Sequence, residues 1–178
     1  MAGDDLLRVA ERIASILGDS CLLIGGLAVS AWGHIRATEG VDFICSLRPE
    51  DIQRMLSAEG ISSEHRRGHI LEGDIPWVVE GKLSGVPFQI LPPLLPINWE
   101  HATSIPMPNG TELRVVDIDD LVQLKLKAGG ALDLWDVAMI LQKHPELKAR
   151  IRELAESRGV LEELDRWLSD PRLKKPHL

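Results

Sequence analysis

A strand, a Gly-Gly turn, a helix and a second strand, close together near the N-terminus, constrain the fold more than any other feature of the chain. The apolar run CLLIGG, residues 21–26, stops at two glycines, and the small-residue stretch LAVSAWGH follows it directly. A second apolar run, VDFICSL at residues 41–47, carries one carboxylate, Asp42. Short apolar runs bounded by glycine predict buried strands. The order strand, helix, strand therefore predicts an α/β fold with Asp42 on an interior strand.

Helical spacing predicts further helices on both sides of this pattern. Residues 5–17, DLLRVAERIASIL, carry apolar side chains at helical spacing, and Gly18 ends the run. Residues 48–60, RPEDIQRMLSAEG, predict another helix, because Pro49 suits a first helical turn and Gly60 suits the position just past a C-terminus. We expect these helices to flank the predicted sheet.

Two β-hairpins are predicted further along the chain. Residues 75–93, IPWVVEGKLSGVPFQILPP, contain two apolar runs around a glycine-containing turn. Residues 104–117, SIPMPNGTELRVVD, have Asn109-Gly110 at their centre, which is the strongest short-range turn signal in the chain. After this second hairpin the pattern is helical, beginning with DIDDLVQLKLKAGG at residues 117–130.

Length and composition fit a globular protein with two parts. The chain has 178 residues, of which 44% are hydrophobic and 26% charged, so it can bury a sizeable core. The change from mixed to helical pattern predicts an α/β part over residues 1–116 and a helical part over residues 117–178 that packs on it. No apolar run approaches the roughly 20 residues that cross a bilayer. The acidic N-terminus is also unlike a secretory signal, so we expect a cytoplasmic protein.

Charge and aromatic content argue against an extended nucleic-acid surface. The formal net charge is -7, whereas neutralising many phosphates requires a basic surface. Aromatic residues make up 4% of the chain and include no Tyr, which is too few for a base-stacking platform. Binding of a small anionic ligand at a local basic spot is still compatible with these numbers.

Cysteine and histidine spacing does not indicate a transition-metal site. Cys21 and Cys45 lie in apolar runs, and neighbouring parallel strands would bring them close, but we expect buried, reduced thiols. No Cys/His pattern suggests zinc. His65 and His69 are four residues apart in EHRRGH, but Gly68 lies between them, so we expect a solvated loop there.

The Gly-Gly turn suggests chemistry on a phosphate-containing ligand. Such a turn lets a ligand approach the backbone closely and directs free helix N–H groups at it. On the strand that follows, residues two apart share a face, so positions 40 and 42 face the same way. A third carboxylate from a neighbouring strand would complete a two-metal cage for phosphoryl transfer. Asp42 is present, but the other position is Gly40.

This arrangement resembles the nucleotidyltransferase superfamily of DNA polymerase beta, especially the small prokaryotic minimal and abortive-infection toxin-type nucleotidyltransferases. Their pattern GG-x-A…G-x-x-R-x-T-x-D-h-D is similar to GGLAVSAWGHIRATEGVDF, and their helix pair K-L-x-A-G-R-x-K-D-x-x-D to KLKAGGALDLWD. The matching residues are Gly25, Gly26, Ala28, Gly33, Arg36, Thr38, Asp42, Lys125, Ala128, Gly129, Asp133 and Asp136. The resemblance implies an α/β (α+β) fold, with a mixed sheet flanked by helices and a C-terminal helical part.

The resemblance also implies roles for individual residues. Asp42 would be the catalytic, metal-binding carboxylate. The residues implied to bind the nucleotide are Gly25, Gly26, Ser30, Arg36, Thr38 and Lys125. Gly40 and Gln89 stand where the family has its other two metal-binding carboxylates, and Gly130 and Leu132 replace an Arg and a Lys. Because Mg²⁺ prefers charged, well-placed oxygen ligands, we expect it to bind weakly or not at all.

Structural interpretations stand beside these functional ones. Asp42 could form a salt bridge to Arg36 or Lys125, because an unpaired buried carboxylate is costly. Arg36 and Thr38 could close the loop before the strand rather than position a phosphate. Asp136 could pair with a lysine.

Two classes of function follow from the resemblance. The parent family transfers a nucleoside monophosphate from an NTP to a hydroxyl acceptor with Mg²⁺, and here Gly40 and Gln89 are expected to impair or abolish that transfer. The alternative is a non-catalytic module that binds a nucleotide or a protein. The resemblance further suggests an antitoxin-like protein partner, as in a toxin–antitoxin or phage-defence pair.

Overall fold

Helices and strands alternate through the first part of the chain, as the apolar pattern predicts. The structure, a computed structural model, describes residues 2–68, 75–107, 110–157 and 159–171. The helices are α1 (Ala2–Leu17), α2 (Gly25–Ala31), α3 (Pro49–Ala58), α4 (Ile118–Ala128), α5 (Ala131–Lys143), α6 (Lys148–Ser157) and α7 (Leu161–Leu168). The strands are β1 (Cys21–Ile24), β2 (Val41–Cys45), β3 (Ser63–Arg67), β4 (Trp77–Leu83), β5 (Val86–Leu91), β6 (Thr103–Pro106) and β7 (Glu112–Val115).

The strands form one mixed sheet in the part of the chain that the structure describes. Their order is β3-β4-β5-β2-β1-β7-β6. β2 pairs with β5 and β1 with β7 in parallel, and the other neighbours are antiparallel. Both predicted hairpins are confirmed as β4–β5 and β6–β7, although Asn109 lies outside the described residues. β1 and β2 are antiparallel, which corrects the parallel arrangement considered for the two cysteines.

Side chains alternate between the two faces of this sheet, so one cross-strand row is apolar and the next is polar. The apolar row consists of Val115, Leu23, Phe43, Ile90 and Val79, each no more than 1% exposed. The row one residue further along starts at Ile24, and its other members are polar: Asp42, Gln89, Glu80 and Glu64. We call it the polar row. Helices α1 and α3 pack against the sheet and bury their own apolar side chains. Burying each large apolar side chain contributes about 1.5–3 kcal/mol, so the apolar row fixes the register that also aligns the polar row.

The segment around His65 is a strand, and the prediction of a solvated loop there was wrong. β3 pairs with β4 along its whole length, with His65 opposite Val79. The His65 Nε2 atom is buried without a hydrogen-bond partner. β3 lies at the edge of the sheet, where strands often carry charged side chains. Its polar sequence therefore lacks the apolar run that predicts a strand. His69 lies outside the described residues.

The chain forms two compact units. One comprises Met1–Ala28 and Arg36–Asp117 and contains the whole sheet with α1 and α3. The other comprises Val29–Ile35 and Ile118–Leu178 and contains α4 to α7. Within this helical unit, Trp135 and Trp167 meet edge to face with their ring centroids 5.4 Å apart. Among the described residues, no helix has the length and apolar character that crossing a membrane would require.

A buried cation joins α4 to α5 in the helical unit. The Lys125 ammonium lies 2.8 Å from an oxygen of Asp133 and 2.8 Å from an oxygen of Asp136. Lys125 is 8% exposed and Asp136 is fully buried. The predicted pairing of Asp136 with a lysine is therefore confirmed. Burying the Lys125 ammonium costs desolvation free energy, and its two carboxylate partners offset that cost better than one partner would.

This arrangement predicts that the two carboxylates differ in their effect on stability. Asp136→Ala should lower the free energy of unfolding by about 3–5 kcal/mol, because it removes a buried charge from a buried partner. The matched variant Asp133→Ala should cost about 1 kcal/mol, because Asp133 is partly exposed and Lys125 keeps its buried partner. Urea denaturation measures the free energy of unfolding of both variants, provided that the m-value is the same as in the wild-type protein. Equal losses for the two variants would contradict this account of Lys125.

Candidate functional site

The carboxylate of Asp42 lies directly against the backbone of Gly25. In the β1–β2 ladder, Ile24 is the direct partner of Asp42, so Gly25 is the next residue past the end of that pairing. Gly25 has φ +68°, a left-handed conformation that favours glycine. A Cβ atom on Gly25 would lie 2.1 Å from Asp42 Oδ2, so no other residue type fits beside this carboxylate. Glycine is thus required at position 25 for two reasons, namely the positive φ of the turn and the close approach of the Asp42 carboxylate to the backbone.

Arg36 and Thr38 approach the second glycine of the pair. A Cβ on Gly26 would lie 2.8 Å from Arg36 Nη2 and 3.0 Å from Thr38 Oγ1. Arg36 also donates a hydrogen bond to the Ala37 carbonyl at 3.0 Å, and Thr38 donates one to the Gly40 carbonyl at 3.3 Å. These bonds lie within the loop before β2, so both side chains help to close that loop. They simultaneously place a guanidinium and a hydroxyl against the Gly-Gly turn.

Gly40 and Gln89 occupy the positions around Asp42 that the sequence pattern indicated. Asp42 and Gln89 are direct partners in the parallel β2–β5 ladder, and their side chains therefore emerge on the same face. Gly40 is packed against β5, since a Cβ there would lie 3.0 Å from the Pro87 carbonyl oxygen. The predicted pairing of the strand that holds Asp42 with the strand that holds Gln89 is confirmed, and Gly25 lies beside Asp42.

The polar row continues past Gln89 to residues that the motif comparison missed. Gln89 is the partner of Glu80 in the β4–β5 hairpin, and its amide Nε2 lies 3.5 Å from Glu80 Oε2. Arg66 donates a hydrogen bond of 2.6 Å to the same oxygen. Glu64 is the direct partner of Glu80 in β3, so the Arg66 guanidinium offsets a like-charge pair. Glu80, which is itself paired with Arg66, therefore lies on the side of Gln89 that faces away from Asp42.

The Ser84-Gly85 turn of the β4–β5 hairpin is the signal that would have placed Glu80 beside Gln89. Ser84 has φ +53° and Gly85 has φ +84°, and Leu83 pairs with Val86. Two positive φ values in a two-residue loop are typical of a type I′ hairpin turn, which sets the register of both strands. Counting back from such a turn pairs Glu80 with Gln89.

A concave surface adjoins the polar row on the sheet. It has a volume of about 570 Å³ and is lined by Glu64, Glu80, Lys82 and Gln89, together with Ser62 and Pro87. Pro87 is also the residue that packs against Gly40, so the concavity borders the site around Asp42. Its charged lining is suited to a polar ligand rather than an apolar one.

Two predicted nucleotide-binding residues belong to the helical unit. The Ser30 carbonyl accepts a hydrogen bond from the Gly33 N–H at 3.0 Å at the end of α2. Lys125 forms its two short ion pairs within the same unit. Their predicted contact with a nucleotide stays a prediction.

The residues around Asp42 do not fit a pair of divalent metal ions. Among the described residues, no group of three or more His, Cys, Asp or Glu side chains is placed to hold a metal ion. The direct partner of Asp42 on β5 is Gln89, whose amide is neutral, and Gly40 has no side chain. Magnesium needs several well-placed oxygen ligands before it gives up its waters. This donor set falls short of that requirement.

Comparison with known proteins identifies the fold. No protein-family model matches the chain, and no curated protein matches it. A solved structure from Thermotoga maritima, described as a nucleotidyltransferase, is 18% identical, matches 86% of this chain and 96% of its own, and has a TM-score of 0.59. A second, from H. pylori and described in the same way, is 18% identical, matches 96% of this chain and 84% of its own, and has a TM-score of 0.51. The mixed α/β fold is thus nucleotidyltransferase-like, as predicted.

The contact between Gly25 and Asp42 leads to a paired test. Gly18→Ala should cost about 1–2 kcal/mol of stability, because Gly18 has φ +58° but nothing within 4 Å of the added Cβ. Gly25→Ala should cost about 1–3 kcal/mol more than that, since the added methyl also displaces Asp42. Chemical denaturation of the two variants separates backbone strain from the collision. If Gly25→Ala costs no more than Gly18→Ala, the close approach does not exist in solution.

Proposed function

We propose that this protein binds a nucleoside triphosphate at the face of the sheet around Asp42, and that nucleotidyl transfer is impaired or lost. The observation that carries the proposal is the direct contact of Asp42 with Gly25, with Arg36 and Thr38 against Gly26. A ligand that approaches the Gly26 side of this turn meets the Arg36 guanidinium and the Thr38 hydroxyl, with the Asp42 carboxylate beside them at Gly25. Arginine presents several donors in a planar arrangement that matches phosphate oxygens.

Loss of transfer follows from the residues next to Asp42. Transfer by this fold in the family that the sequence resembles depends on a cluster of carboxylates, of which this chain keeps Asp42. Gly40 and Gln89 are neutral, so Mg²⁺ binding is weak or absent and the charge on a transferring phosphate is poorly offset. Binding itself needs fewer groups, because arginine and backbone contacts hold phosphates without a metal pair.

A test of binding uses two arginines of the sheet-containing unit. Arg36→Ala should raise the Kd of an NTP by about 10- to 100-fold, because it removes charge-assisted hydrogen bonds. Arg67→Ala, an exposed arginine on β3, should leave the Kd unchanged. Calorimetric titration with each of the four NTPs measures this. A wild-type protein that binds none of them would refute the proposal.

A test of the impaired metal site restores the missing carboxylates. Gln89→Asp should strengthen Mn²⁺ binding and allow labelled NMP incorporation, because it places a second carboxylate beside Asp42 on the same face. Gly40→Asp should lower stability by about 1–3 kcal/mol, because its Cβ lies 3.0 Å from the Pro87 carbonyl oxygen. Gln89→Asn is the control of equal size without charge. Wild-type incorporation that is lost on Asp42→Ala would show instead that transfer is intact.

A protein-binding role is the second candidate. Ile35, in the loop between α2 and β2, is 88% exposed, which is unusual for a large aliphatic side chain. A partner of antitoxin type would give this side chain a function. Harmless overexpression of the protein alone would weaken that candidate. Growth arrest that a co-expressed partner relieves for the wild-type protein but not for Ile35→Ser would support it.

A further inference from the structure

Cys21 and Cys45 face each other in the β1–β2 ladder. They are direct partners, at the first residue of β1 and the last residue of β2. Just outside them, the Ser46 N–H donates to the Ser20 carbonyl at 2.9 Å, which makes Ser20 and Ser46 a hydrogen-bonded pair. Because such pairs alternate in an antiparallel ladder, the cysteines form a non-hydrogen-bonded pair, with Cα atoms about 4.5 Å apart. That separation lies within the range of disulfides.

Both thiols are reduced and lie on the face of the sheet opposite to Asp42. Cys21 is 2% exposed and Cys45 is fully buried. Cys45 and Asp42 are three residues apart on one strand, so their side chains emerge on opposite faces. Burial, with a smaller contribution from the neighbouring Cys45, raises the pKa of the Cys21 thiol to about 12. The influence of Cys45 on Cys21 also reflects their proximity.

Cys21 is the more accessible of the two sulfur atoms. A concavity of about 210 Å³ is lined by Cys21 together with Ser15, Asp19 and Arg114. The Arg114 guanidinium acts against burial and lowers the pKa of Cys21. Asp19 and Glu112 also line the concavity, so its lining carries charges of both signs.

We propose that Cys21 and Cys45 are a modification site that forms an intramolecular cross-strand disulfide by exchange with a small disulfide of the glutathione type. The Cys21 thiolate attacks one sulfur of the reagent, forms a mixed disulfide and releases one thiol. The Cys45 thiolate then attacks the Cys21 sulfur, forms the cross-strand bond and releases the second thiol. Two thiols of the protein lose two protons and two electrons, and the reagent gains them.

The bond would join the two strands that carry the candidate site. Cys21 lies four residues before Gly25 and Cys45 three residues after Asp42, so oxidation fixes the alignment of these two residues without placing sulfur beside them. Disulfides in reducing compartments are usually transient. The pair therefore suits a reversible modification.

The test is an equilibrium measurement in glutathione redox buffers, quenched with acid and read by mass spectrometry and peptide mapping. The exchange constant for the Cys21–Cys45 bond should be about 30-fold or more larger in the native protein than in the same chain in urea. Cys21→Ser and Cys45→Ser should each give a single mixed disulfide at most. An exchange constant no larger in the native protein, two glutathione adducts on one chain, or a disulfide-linked dimer would each overturn the proposal.

The rate of the reaction supplies a second readout. Oxidation of the native protein should keep accelerating with pH beyond 9.0, the ordinary thiol value, because the thiolate of Cys21 forms only towards a pKa of about 12. A rate that levels off at the ordinary value would contradict attack by the buried Cys21. Neither measurement involves a nucleotide, so its outcome is independent of the proposed nucleotide binding.

Discussion

The contact between the Gly25 backbone and the Asp42 carboxylate is the constraint on which the candidate site depends. The β1–β2 ladder brings Ile24 opposite Asp42, and the chain then turns at Gly25 with a positive φ. Because Gly25 has no Cβ, the carboxylate can occupy the space that a side chain would fill. A strand and a turn are thus locked together at the point where a ligand would meet both. Gly26 also lacks a Cβ, which leaves room for the Arg36 guanidinium. Charges of both signs therefore lie against the same short turn.

The neutral residues beside Asp42 have a consistent electrostatic explanation. Gln89 lies between Asp42 and Glu80 in one cross-strand row, and Glu64 follows Glu80. A carboxylate at position 89 would create an unbroken line of like charges, which is unfavourable unless a cation binds among them. The amide interrupts that line, and Arg66 offsets the charge of Glu80.

The helical unit shows how a family pattern and a structural role can involve the same residues. The resemblance assigns Lys125 to a nucleotide, while the structure gives it two carboxylate partners, Asp133 and Asp136, in its own unit. The spacing of these residues along α4 and α5 satisfies the requirements of a buried ion-pair network. The same spacing produces the sequence pattern, so the pattern alone does not distinguish the two roles.

The position of Gln89 beside Asp42 came from the family resemblance, whereas the amino-acid sequence alone predicts the order of most elements, both hairpins and the apolar strand that carries Asp42. These follow from local signals, namely apolar periodicity, glycine at chain reversals and spacing within one motif. Tertiary structure alone decided that β1 and β2 run antiparallel, that β3 is a strand, that Glu80 and Arg66 flank Gln89, and that the two thiols face each other. Strand direction and edge pairing depend on hydrogen bonds between residues distant in sequence. Those hydrogen bonds produce no periodic pattern in the amino-acid sequence, because they join backbone groups, which are alike in nearly all residue types.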